Sequence, residues 1–590
     1  MMRFACLAIA SLCLSLVHPA APLAADELPK DTNTIQSLTP ELARKLAAEF
    51  PGVTVRSDIE KYGTSPIHSC LPLNGLQSLD AESAWALARY SRGPILLNGL
   101  TTLSADTAKA LAAFKGERLF LSGLTTLDAD TARALAEFKG EGLILSGLTT
   151  LSTDVAKALA ESEAEEPSWA EWELQKSLRL AKGKELSLGG LTTLNADVAK
   201  ALAHAKGQWL SLDGLTTLDA DTAKALAESK GRRLSLNGLT TLSYEAAEAL
   251  AKFKGKELSL SGLTTLSTDA AQALAEFKGD SLSLDGLTTL SAEVAEALVQ
   301  LEAWPGGRLS RLTTLSPDTA KAIAEIKGDL LDLSGLTALS IDAAKALAKF
   351  KGESLNLSGL TTLSAEAAMA ITKFKGKELS LSGLTTLSAD AAQALGKSKA
   401  WTGDLSRLTT LSPDTANALA EFKGEFLYLD GLTTLDADTA KALAEFKGVC
   451  LYLDGLTTLD AGTAKALAKY RGHSLRLSGL TTLDAETARL VCACAKKNQY
   501  FSLEGVTAFD TSDAVEIAAI LATAKGKLGL PNLHKISPKT LTALIGKRDV
   551  EIPPLDRLEL IQEPDGSPTE DFVIPEWLKE KQKTLQPQRR

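Results

Sequence analysis

The chain is poor in the residues from which most reactive sites are built. Its 590 residues include six cysteines, five histidines and three methionines, and only 5% are aromatic. Cys6 and Cys13 lie in the leader, which leaves Cys70, Cys450, Cys492 and Cys494. Cys70 lies far along the chain from the other three, and the Cys492-x-Cys494 pair has no histidine or further cysteine at ligand spacing. These two occupy helix positions equivalent to Ala468 and Tyr470, so they read as buried thiols. His68, His204, His473 and His534 lie in distant segments, and no Ser-His-Asp arrangement is suggested. No phosphate-binding or dinucleotide fingerprint appears. The sequence therefore predicts no catalytic residue, no metal site, no cofactor and no enzyme. An excess of positive charge is also missing. With 63 basic and 73 acidic residues the net charge is −10, which gives no reason to expect nucleic acid or an anionic membrane as partner. Beyond the leader no apolar run reaches the roughly 20 residues of a membrane span.

What the chain has instead is repetition. Gly-Leu-Thr-Thr-Leu stands at Gly99–Leu103, Gly123–Leu127 and Gly147–Leu151, and returns from Gly190 to Leu483 with small variations. Its first leucine falls at Leu215, Leu239, Leu263 and Leu287, then at Leu312, Leu336, Leu360, Leu384, Leu408, Leu432, Leu456 and Leu480. A fixed period of this kind marks a repeat array rather than several globular domains.

One unit, Arg118 to Gly140, shows what is repeated. Leu119 and Leu121 alternate with Arg118, Phe120 and Ser122, the pattern of a strand with one buried face. Gly123 is expected to turn the chain through a positive φ. Asp128, replaced elsewhere by Ser104, Ser243 or Ser388, is placed to cap a helix N-terminus, and Asp130 to complement its dipole. Ala132, Leu135 and Ala136 give that helix a small apolar stripe, with Phe138 beside it. Lys139-Gly140 is expected to close it through a left-handed glycine. Capping accounts for the Leu-Asp-Ala-Asp segments (Asp128, Asp130; Asp436, Asp438) without calcium. The Thr101-Thr102 pairs are similar to the threonine rows of ice-binding solenoids, although structural hydrogen bonding also accounts for them, with adjacent threonines facing opposite ways.

A single unit cannot bury its own leucine face, whereas stacked units align the leucines in continuous columns. Strands stack about 4.8 Å apart and helices need roughly 8–10 Å. The mismatch bends the array. The predicted fold is an α/β repeat, a curved solenoid with parallel strands on the concave side and short helices on the convex side.

The Leu119-x-Leu121 strand, the later pair Leu124 and Leu127 and the period together resemble the leucine-rich repeat family of the extracytoplasmic bacterial kind, over roughly Ile35 to Ile545. The usual Asn after the strand is missing, with Gly123-Leu124 in that region, so the family's asparagine ladder is not expected in its ordinary form. The Leu-Thr-Thr-Leu segment is similar to the second-strand segment of short BspA-like repeats, and whether it forms a strand here is left open. The resemblance implies a binding scaffold, not a chemistry.

Along the chain, residues 1–25 read as a signal peptide. Arg3 precedes the apolar run Phe4 to Val17, and small residues surround Ala24 and Ala25. Residues 26–75 form an N-terminal cap with a degenerate repeat, 76–548 the solenoid, and 549–590 a C-terminal cap and flexible tail. A break at 161–183 carries Trp169 and Trp172, which read either as a plug for a missing strand or as an exposed partner patch. Two later repeats share an oddity. Each has a tryptophan (Trp304, Trp401), an arginine in place of the turn glycine (Arg311, Arg407) and proline at the first helix position. These tryptophans read as core fillers.

The strand positions beside the leucines are bland in mid-array, at Ser187, Ser211, Ser235, Ser259 and Ser283. They then change to Phe426, Tyr428 and Asp430, to Tyr452 and Asp454, and to Arg476. Three consecutive strands should bring these six into one patch. Aromatic and arginine side chains dominate binding hot spots, but cross-strand stacking that only stabilises the sheet would place them equally well. The expected function is an extracytoplasmic scaffold for a protein partner. The alternative is a passive spacer in the cell envelope.

Overall fold

A computed structural model describes residues 28–29, 31–55, 67–160, 185–205, 209–301, 304, 307–494, 500–547, 549–564 and 566–568, without the side chains of 54–55, 67–68, 494 and 500. The expected signal peptide, the Trp169 and Trp172 segment and the tail beyond 568 lie outside the described residues.

Each regular unit is a three-residue strand, a turn and a helix of about two turns. Arg118–Phe120 pairs in parallel with Gly142–Ile144, Leu119 facing Leu143, and the register then steps by 24 residues, as from Leu210 to Leu234 and Leu258. Leu119, Leu121 and Leu124 are fully buried, and their equivalents form the columns of one continuous core. Successive helices pack beside one another over the opposite side of that core, so the chain is an α/β solenoid of parallel strands and short helices. Among the described residues no helix is long and apolar enough to cross a membrane.

The helix in the specimen unit is Ala129–Ala136, capped at Asp128, whose Oδ1 accepts from the backbone N–H groups of Asp130 (3.0 Å) and Thr131 (2.8 Å). The Thr131 hydroxyl donates to the second Asp128 oxygen (2.7 Å) and lies 3.4 Å from the carbonyl of Leu103 in the preceding repeat. The cap therefore also ties one unit to the next, and the same device recurs at Thr222, Thr439 and Thr463. These hydrogen bonds hold the Asp128 carboxyl below the usual carboxylate range. The carboxylates are engaged by the helix itself, which is what the capping explanation required.

Both glycine expectations need correcting. Neither Gly123 nor Gly140 has positive φ; among the described residues only Gly52, Gly93, Gly403, Gly566 and Ser69 do. Gly123 is required by close approach, because a Cβ there would drive into the backbone carbonyls of Asn98 and Leu100. At Gly140 a Cβ would strike the Phe138 ring, which lies over the glycine and stacks on Phe114 with centroids 6.1 Å apart. The helix itself ends in right-handed geometry at Glu137.

Between Val53 and Arg476 the strand ladder of the described residues is interrupted at two places. One sheet runs from Val53–Val55 to Ser281–Ser283, and the next begins at Gly307–Arg308 and ends at Glu378–Ser380. A third runs from Phe426–Tyr428 to Ser474–Arg476, connected back only by bridges at Trp401 and Asp404. The interruptions coincide with the two odd repeats. Trp304 and Trp401 are each 4% exposed and fill the core there, as expected. Arg311 and Arg407 stand at the turn position just where the preceding strand is not fully paired.

The ends differ from the middle. Thr39 caps the helix Pro40–Glu49, its hydroxyl accepting from the Leu42 amide. After Gly52 the strand Val53–Val55 pairs antiparallel with Ile67–Pro72 and covers the first strand edge. The Leu-Thr-Thr-Leu segments are not strands in the regular repeats, where both threonines are mostly exposed. At some repeats the first threonine donates its hydroxyl to the preceding one's carbonyl, as Thr385 does to Thr361 (3.2 Å). Among the described residues the equivalent segments pair as strands in the last units, Ala508–Phe509 with Lys535–Ile536 and Lys535–Ile536 with Glu559–Leu560. That pairing, with Val550–Glu551, extends into the expected C-terminal cap at 549–590.

Candidate functional site

Side chains flanking the strand leucines project from the sheet on the side away from the core. The parallel register aligns them in rows, and the rows change character along the array.

At the N-terminal end the row is apolar. Leu96, Phe120 and Ile144 stand one register step apart and, with Cys70, form a buried cluster separate from the main core. Each is no more than 9% exposed, and Val53 of the N-terminal hairpin packs against them. The sequence reading overlooked this strip, though the signal was there: large apolar residues at an outward strand position with the repeat period.

In the middle the row is serine, and the hydroxyls are engaged within the solenoid. Ser235 donates to Asp213 Oδ1 (2.6 Å) and Ser259 to Asn237 Oδ1 (2.7 Å). The neighbouring row, also overlooked, carries ion pairs. Arg118 reaches across Gly142 to Glu185 (3.4 Å), and Arg233 lies over the Trp209 ring (4.9 Å from its centroid) while its Nε donates to Glu257 (2.6 Å). Burial pushes the Glu185 carboxyl up, opposed by Arg118 and Arg233.

A third row follows the turn. Asn74 accepts from the backbone N–H of Asn98 (3.2 Å), Asn98 from Ser122 (3.0 Å), Asp213 from Asn237 (2.8 Å) and Asn237 from Ser261 (2.8 Å). Asp430 accepts from Asp454 (3.0 Å) and Asp454 from Ser478 (2.7 Å). This is an interrupted ladder of Asn and Asp side chains, each satisfying an amide of the next repeat. It corrects the expectation that the ladder residue is missing: the residue before the turn glycine fills that place at Asn74, Asn98, Asp213, Asn237, Asp430 and Asp454.

The six residues singled out from the sequence do come together. Tyr428 faces Tyr452 in register, with rings 4.3 Å apart and 21° from parallel. Phe426 lies 6.3 Å from Tyr428 and is 38% exposed. Arg476, in register with Tyr452, places its guanidinium 5.5 Å from that ring and its Nε 3.2 Å from Asp454 Oδ2. Asp430 and Asp454 are half-buried and hold the ladder bonds above, so part of their role is structural. Burial pushes the Asp430 carboxyl up and the Tyr452 phenol up to about 12. Cys450, beside Phe426, is buried and its thiol is also pushed up.

No family model matches the chain, and no curated protein matches it. Among solved structures, the TLR13–ssRNA13 complex aligns over 86% of this chain and 83% of that one at 15% identity, with a TM-score of 0.38. The mouse RP105/MD-1 complex aligns over 86% of this chain and 94% of that one at 12% identity, with a TM-score of 0.39. The exclusion of nucleic acid rests on the net charge alone.

Proposed function

We propose that the chain is an extracytoplasmic scaffold that binds a protein partner through the C-terminal part of its sheet face, at Phe426, Tyr428, Tyr452 and Arg476, with Asp430 and Asp454 holding that surface. The observation that carries the reading is a large aromatic side chain left exposed, Phe426, at the edge of a stacked pair, Tyr428 and Tyr452, ordered by an arginine. Stacking alone accounts for the two tyrosines, at about 0.5–1.5 kcal/mol for such a pair. It does not account for an outward phenylalanine beside them. The apolar run Phe4 to Val17 supports the extracytoplasmic part.

The test is the double substitution Tyr428→Ser with Tyr452→Ser, made in the chain without residues 1–25. Affinity capture from the extracytoplasmic fraction is compared with the native chain, and thermal unfolding is followed by circular dichroism. Loss of the captured protein with unfolding still cooperative supports the reading. Undiminished capture puts the ligand elsewhere.

One observation favours the passive spacer: the serine row from Ser211 to Ser283 spends its hydroxyls within the solenoid. Deleting two central 24-residue repeats separates the two, since a spacer tolerates the loss and a shaped binding arc does not.

A further inference from the structure

We propose that the partner segment docking on this patch is cationic, a lysine- or arginine-bearing stretch set against the faces of Phe426 and Tyr428 and matched in charge by Asp404 and Asp430. The inference rests on the protein-binding reading above and deepens it.

The chain supplies the template. Arg476 lies over Tyr452 and pairs with Asp454, the carboxylate two residues after that tyrosine. In mid-array Arg233 lies over Trp209 and pairs with Glu257. A cation on an aromatic face with a carboxylate beside it is therefore a unit this surface already builds twice from its own residues. One strand before Arg476 the pattern is half made. Tyr428 is followed two residues later by Asp430 and bridged on its other side by Asp404, but no cation lies over its ring or Phe426 among the described residues. Its register partner on the next strand is Tyr452 rather than an arginine.

The carboxylates have capacity to spare. Asp430 Oδ1 accepts from the Asp454 amide (3.0 Å), and Asp404 Oδ1 from the Ser406 amide (2.9 Å) and hydroxyl (2.6 Å). The second oxygen of each accepts no hydrogen bond among the described residues. Burial already disfavours the charged form of Asp430, and Asp454 and Asp404 add to this. Among the described residues three carboxylates, Asp404, Asp430 and Asp454, line the patch against two guanidinium groups, Arg476, committed to Asp454, and Arg407, exposed at the turn position. A ligand cation gains both the ring quadrupole and the unanswered charge.

The probe is a fluorescein-labelled eight-residue peptide alternating lysine and glycine, with a glutamate–glycine peptide of the same length as control, read by fluorescence anisotropy at low and raised salt. Asp404→Asn with Asp430→Asn removes the charge while leaving an oxygen to accept each amide. Asp269→Asn with Asp318→Asn, two exposed helix positions, makes the same change in net charge elsewhere. The lysine peptide is expected to bind the native chain, weaken as salt rises, and bind D404N/D430N about tenfold less well, the order expected for two partly exposed charges. D269N/D318N is expected to stay within twofold. Equal binding of the lysine peptide to D404N/D430N and D269N/D318N, or equal binding of the glutamate peptide to the native chain, overturns the proposal. If the tyrosine pair is needed for partner capture while D404N/D430N changes neither capture nor peptide binding, the scaffold reading stands and the cationic partner falls. If capture survives loss of the tyrosines, both fall.

Discussion

A substitution that usually stabilises proteins should here have opposite effects at two glycines of adjacent repeats. Gly147 is a turn glycine, and an added Cβ would overlap the Ser122 carbonyl oxygen and lie 2.7 Å from the Leu124 carbonyl oxygen, backbone atoms that cannot rotate aside. Relief requires the backbones of the two repeats to part at that point, and overpacking of a close-packed contact costs about 1–3 kcal/mol. Gly189 precedes the next turn glycine, and its Cβ would meet only the Ser146 hydroxyl and Cβ, at 3.6 and 3.8 Å. There the entropy removed from the unfolded chain is left, worth about 0.4–1 kcal/mol in favour of the fold. Urea unfolding followed by circular dichroism, with Gly147→Ala and Gly189→Ala side by side, should show the first destabilised by about 1–3 kcal/mol and the second neutral to slightly stabilised. Gly147→Asn should be no better than Gly147→Ala, although asparagine tolerates left-handed geometry. Equal stability of Gly147→Ala and Gly189→Ala, or rescue by asparagine, would refute close approach as the reason for the glycine.

Two further expectations concern the repeats. Asn98→Ala should cost about 1 kcal/mol, since the half-buried Ser122 amide loses its acceptor, while Gly189→Asn should recover a similar amount by offering one to Asp213; both are read from urea midpoints. Asp128, Asp219, Asp436 and Asp460 are held below their ordinary range by cap hydrogen bonds. A carboxyl depressed on folding adds stability above its unfolded pKa of about 3.9 and loses it as pH falls through the folded value. Replacing the four with serine should therefore flatten the loss of thermal stability below about pH 4 while leaving it nearly unchanged at pH 7; an unaltered acid limb would show that the caps do not carry it.

The fold was legible where one repeat contains its own cause. Leu119 and Leu121 alternate, Asp128 precedes an alanine stripe, and both follow from a single unit. What escaped depends on the neighbouring unit. Gly123 looks like a turn glycine until the Asn98 carbonyl beneath it is placed, and a residue such as Asn98 shows its use only when the Ser122 amide lies opposite. The candidate patch was legible because 24-residue spacing on parallel strands converts sequence into adjacency, which set Tyr428 against Tyr452. The same arithmetic gives the Leu96, Phe120 and Ile144 strip. Tyr428's bridge to Asp404 is again a step of 24 residues and follows from the same arithmetic, whereas Leu379 pairs with Trp401, 22 residues on, because the odd repeat shifts the register there.

The central claim is that the partner lies on the C-terminal part of the sheet face. It is tested most directly by placing a photo-activated cross-linking residue at Phe426 in one variant and at Ser235 in another, then irradiating each with the captured partner. The account predicts a cross-linked adduct from position 426 and none from 235. An adduct from 235 alone, or equal adducts from both, would contradict it.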